Sequence, residues 1–103
     1  MMQNHDLRNF DIQEDRLLET VLDLVQIDSE SRNERAVADY LKGKLEALDY
    51  TVKEDNAGAH IGGNAGNIIA YHAGTDTGKS VLFCAHMDTV APGNGVKPVV
   101  EPG

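Results

Sequence analysis

SVLFCAHMDTVAPGNGVKPVVEPG, residues 80–103, is the most informative stretch of this chain. Val81, Leu82, Phe83, Cys84 and Ala85 make an apolar run suited to a buried strand. His86 and Asp88 follow at its end, two residues apart and therefore on one side of an extended backbone. A Gly/Pro-rich loop comes next. This layout is one way a fold presents a metal ligand: a neutral imidazole binds zinc through one ring nitrogen, and a carboxylate beside it holds the other N–H and fixes tautomer and orientation. By spacing alone, HxD is equally a strand-end histidine followed by a turn-forming aspartate.

Just upstream, Ala73 to Ser80 (AGTDTGKS) fits the loose phosphate-loop pattern. That mechanism needs a helix after Lys79, whose first N–H groups cradle the phosphates. SVLFCAH is instead rich in strand formers, and Asp76 would put a negative charge inside the anion site. A hairpin turn built on Gly74, Asp76 and Gly78 is the expectation, with nucleotide binding kept as a lesser alternative. The loop NAGAHIGGNAGN (56–67) is read as structural, its glycines serving backbone geometry. His5, His60 and His72 are expected to be exposed, and Cys84 to be a buried, inert thiol.

Towards the N-terminus, residues 11–27 place Leu17, Leu18, Val21, Leu22, Leu24 and Val25 at helical spacing, with Asp11 and Glu14 as a capping box. A second helix is expected over 33–48, with Ala36, Val37, Tyr40, Leu41, Lys44, Leu45 and Leu48 on one face and Ser31 with Glu34 as its capping box. SESRN between them reads as a short connection. Both helices should pack on one side of a sheet. Residues 50–55 alternate as an outer strand, and 67–71 and 80–86 complete three strands. The fold class is therefore α/β.

A chain of 103 residues fits one domain with a modest core, and 41% hydrophobic residues argue for a folded globule. A net charge of -8 without any Lys/Arg cluster argues against nucleic-acid and anionic-membrane partners. No apolar run reaches the roughly 20 residues needed to cross a bilayer. The single cysteine cannot form an internal disulfide, and residues 1–10 do not resemble a signal peptide, so a cytoplasmic location is expected.

HMDTV followed by APGNGVKP favours the functional reading of His86 and Asp88, because this text resembles the peptidase T-like branch of the dinuclear zinc exopeptidases, the group that includes aminoacylases and glutamate carboxypeptidases. LLETVLDLVQIDSESRNERAVADYLKGKLEALDY looks like that family's opening helix pair, NAGNIIAYHAG like its second strand, and VLFCAHMDTVAPGNGVKPVV like its first metal-ligand segment. The resemblance implies that His86 binds one zinc and that Asp88 is the catalytic-site carboxylate orienting it. It also implies a mixed sheet between helices, an inserted second domain, and two zinc ions sharing a bridging carboxylate and a water that a glutamate deprotonates. The implied substrate is a di- or tripeptide with a free amino group, and a homodimer made through a domain absent here is among the arrangements allowed.

Residues 1–103 would then be the N-terminal portion of one zinc-exopeptidase catalytic domain, two helices followed by a three-stranded mixed or antiparallel sheet. The bridging aspartate, paired glutamates and later histidine have no counterpart before Gly103, so these residues alone are expected to be inactive. Asp49 stands where the family has glycine after the second helix. The rival from another class is a non-catalytic α/β interaction module that binds a protein through its exposed sheet edge or acidic face, with the uncovered sheet face as a further docking surface.

Overall fold

The structure, a computed structural model, describes residues 11–75 and 78–102; His5, Asp76 and Gly103 lie outside them. The described residues form a small α/β unit with three helices, two of them substantial, and a two-stranded antiparallel sheet. Helix α1 spans Glu14–Gln26 and α2 Arg35–Ala47. Strand β1 is Thr51–Glu54, α3 is the single turn Ala57–His60, and β2 is Ile68–Tyr71. Helical periodicity located both long helices to within three residues at each end.

Neither expected capping box forms. The N-cap of α1 is Gln13 and that of α2 is Glu34, and neither makes a side-chain cap hydrogen bond. Helix α2 starts too late for Ser31 to reach it. Its first N–H, on Arg35, donates instead to Asn64 Oδ1 at 3.0 Å, a cap supplied from the glycine-rich loop. At the other end Asp49 sits in the left-handed region (φ 69°). There its N–H donates to Glu46 O and that of Tyr50 to Leu45 O, both at 3.0 Å, so the aspartate fills the place glycine usually takes in this helix stop.

Strands β1 and β2 pair with Val52 opposite Ala70 and Glu54 opposite Ile68. Those four half-buried residues share the face turned to α2, while Thr51, Lys53, Ile69 and Tyr71 face outward and are exposed. Helix α2 packs on both strands and contributes Val37 and Ala38, the buried hydrophobic residues among those described. The expectation that both helices pack against the sheet is met extensively by α2 alone. Leu17, Leu18, Val21 and Val25 of α1 remain exposed, and α1 is tied to α2 where the Tyr40 hydroxyl donates to Asp23 Oδ2 at 3.0 Å.

Residues 80–86 carry no regular secondary structure and pair with no strand, so neither the third strand nor the hairpin before it forms among the described residues. A strand needs a neighbouring edge. Here the run and β2 both line an open groove of about 660 Å³, together with Leu41 and Leu45 of α2, and no ladder joins them. Phe83 is consequently 88% exposed, and Cys84 is exposed where a buried thiol was expected.

Beneath the sheet, Glu54 anchors the fold. Its carboxylate, 16% exposed, accepts Arg35 Nη1 at 2.8 Å and Nη2 at 2.5 Å, Lys42 Nζ at 3.2 Å and the Gly66 N–H at 3.0 Å. The paired Arg35 bonds, then the Gly66 N–H, hold this carboxyl well below the usual carboxylate range against the opposing effect of burial. A depressed folded-state value means that the stabilisation is present above the unfolded value of about 4.3 and is lost as pH falls through the folded one. The urea midpoint should therefore fall as pH drops below about 4. Glu54→Gln should lower the midpoint at pH 7 and flatten that acid limb; a variant whose acid limb matches the parent's would assign the sensitivity elsewhere.

Candidate functional site

The connection between the helices, residues 28–31 (Asp-Ser-Glu-Ser), is the cradle of the candidate site. Each of its four residues bonds to the 87–95 loop. Asp28 Oδ1 accepts the Gly95 N–H at 2.8 Å, and Glu30 Oε2 accepts that of Gly93 at 2.7 Å. Ser29, 3% exposed, donates its hydroxyl to Met87 O at 2.7 Å while its carbonyl accepts the Thr89 N–H at 2.8 Å. Ser31 Oγ donates to Asp88 Oδ2 at 2.5 Å. The short side chains of Asp28 and Ser29 suit this task, because they reach backbone groups over one loop's width at little rotamer cost.

Backbone geometry aims the cradle. Glu30 and Thr89 form an isolated parallel bridge, which aligns the connection with the loop. The Asn33 N–H closes a turn onto Glu30 O at 2.8 Å, with Arg32 at φ 74°. The loop itself carries a cis Ala91–Pro92 bond.

On this support His86 and Asp88 come together. His86 Nδ1 lies 2.9 Å from Asp88 O and 3.1 Å from Asp88 Oδ1. Both neighbours are acceptors, so Nδ1 must carry hydrogen, and the neutral ring keeps its lone pair on Nε2. The ring is 86% exposed and open to a partner, whereas the Asp88 side chain is 38% exposed. Ser31's hydroxyl, and after it the His86 ring, hold the Asp88 carboxyl below its usual range against partial burial.

Among the described residues no three metal-binding side chains gather into a cluster. The donor chemistry therefore fits one metal ligand with an orienting carboxylate, and it does not make a complete metal site. Lys79 is followed by no helix, so the condition set for phosphate binding at Ala73 to Ser80 is unmet. His60 and His72 are exposed. Sequence reasoning missed the cradle because its partners lie 57 to 67 residues away, and Ser31 carries no local mark beyond a capping pattern it does not use.

The chain is 50% identical over 92 residues to the uncharacterized protein YqjE of Bacillus subtilis, a match covering 89% of this chain and 25% of that protein. It is 38% identical over 91 residues to a probable carboxypeptidase of Talaromyces marneffei, covering 85% of this chain and 20% of that protein. A probable carboxypeptidase of Aspergillus terreus is 34% identical over 74 residues, 68% of this chain and 17% of that protein. The chain thus spans about a quarter or less of these relatives, and its relation to the two fungal proteins is distant. No protein-family model and no solved structure matches it.

Proposed function

We propose that these residues are the N-terminal portion of the catalytic domain of a zinc-dependent exopeptidase that releases the N-terminal residue of short peptides, in which His86 supplies one metal ligand and Asp88 orients it. The observation that carries this reading is the His86–Asp88 geometry, an exposed imidazole whose Nδ1–H is held by a carboxylate and whose Nε2 is left available. Bound zinc would supply Lewis acidity toward a peptide carbonyl and an activated water. This chain's own part is narrower. It fixes the ring's tautomer, keeps Asp88 ionised and holds both on the cradle. With no further ligands gathered among the described residues, residues 1–103 are inactive alone under this reading.

The two fungal relatives are named as probable carboxypeptidases, which favours a second reading, release of the C-terminal residue. Tripeptides blocked at one end separate the two in a polypeptide of the relatives' length. Aminopeptidase action is expected to be lost with an acetylated N-terminus and retained with an amidated C-terminus; the opposite pattern would establish the carboxypeptidase. His86→Ala there should lower kcat/KM roughly a thousandfold, about 4 kcal/mol of transition-state stabilisation. Turnover by residues 1–103 that disappears in His86→Ala would overturn their inactivity, and full activity of His86→Ala in the longer polypeptide would remove the metallopeptidase reading.

A further inference from the structure

We infer that Ser31 is a positioning residue for His86, acting through Asp88: its hydroxyl holds one carboxylate oxygen so that the other stays on the imidazole Nδ1–H. This rests on the site proposed above, but it is argued from an unbroken chain of contacts. Ser31 Oγ to Asp88 Oδ2 is 2.5 Å, and Asp88 Oδ1 to His86 Nδ1 is 3.1 Å.

A carboxylate on a single χ1/χ2 pair has two equivalent oxygens and a broad terminal torsion, so one bond to the ring does not set its plane. A hydroxyl on the second oxygen does. Ser31 is itself placed by the Asn33-to-Glu30 turn and by the bridge between Glu30 and Thr89, so its hydroxyl sits on the same rigid connection that carries the loop. Ser29 plays a different part. It holds the loop's backbone at Met87 and Thr89, whereas Ser31 alone in the cradle touches the functional carboxylate side chain. The division is load on one serine and orientation on the other. Ser31 is exposed, so removing its hydroxyl leaves no buried group unpaired and spares the fold.

Long-range 1H–15N spectra of the His86 ring in the labelled 103-residue chain test this. The parent should show the Nδ1–H tautomer predominating. Ser31→Ala should move the Nδ1–H signal away from its parental position, toward that of a ring held by the Asp88 carbonyl alone, 2.9 Å away, with the Thr89 amide unmoved. Ser31→Thr should restore the parental ring signals, and the isosteric Ser31→Val should not, a contrast that holds even if alanine disturbs the turn. Parental ring signals in both Ser31→Ala and Ser31→Val would overturn the inference, as would failure of the folded Ser31→Thr chain to restore them. Peptidase activity does not enter, so a shifted ring signal stands as positioning even where the peptide assays remove the metallopeptidase reading.

Discussion

Gly66→Ala is expected to cost about 3 kcal/mol of stability, the upper range for overpacking a tight site. Gly66 is buried, and a Cβ built on it would overlap the Asp55 carbonyl oxygen and approach its carbonyl carbon and Oδ1 to 2.6 Å. These are mainly backbone atoms, and they cannot rotate away. They are also pinned: the Asp55 N–H donates to Asn67 O at 3.1 Å, and Asp55 Oδ1 accepts the Asn67 N–H at 2.7 Å. Any shift that made room would pull the Gly66 N–H from Glu54 and loosen the Arg35 pair on the same carboxylate. With a slope of about 1.5 kcal/mol/M, the urea midpoint should drop by about 2 M. Gly43 is the control, since nothing lies within 4 Å of a Cβ there and it sits inside α2. Gly43→Ala should raise stability by about 0.5 to 1 kcal/mol. Equal responses at the two sites would mean that the close approach at Gly66 is not tight.

Ser29→Ala should release the candidate site without melting the sheet. Removing the hydroxyl deprives Met87 O of its donor, at a cost of about 1–3 kcal/mol for a part-buried pair. The nearby Thr89-to-Ser29 backbone bond then opens more often. At about 2 kcal/mol, hydrogen-exchange protection of the Thr89 amide should fall about 30-fold, tenfold being 1.4 kcal/mol. Amides in the β1–β2 ladder should keep theirs. Unchanged protection at Thr89 would show that the carboxylate bonds of Asp28 and Glu30 hold the loop unaided.

The parts of this fold that were legible are those whose signal is local. Leucine and valine at helical spacing marked α1 and α2, and alternation at 50–55 marked β1. The capping patterns misled because Ser31 and Asp11 satisfy a sequence rule while Ser31's hydroxyl has a stronger acceptor in Asp88. The apolar run 81–85 misled for a complementary reason. Composition qualifies a segment to be a strand, but pairing is supplied by a neighbour, and among the described residues β2 pairs with β1 alone.

At the site, the His86–Asp88 pair was readable because two residues at strand spacing need no distant help to meet. Which oxygen faces the ring, what holds the other, and why the loop stays at the helix connection were not readable. Those answers depend on bonds spanning 57 to 67 residues. The amino-acid order thus determined the helices, the β1–β2 strands and the histidine–aspartate couple, because each follows from side-chain period or short spacing. Tertiary structure decided the cradle, the unpaired apolar run and the exposure of Cys84, because a hydrogen-bond partner or a covering surface exists only once remote segments have been brought together.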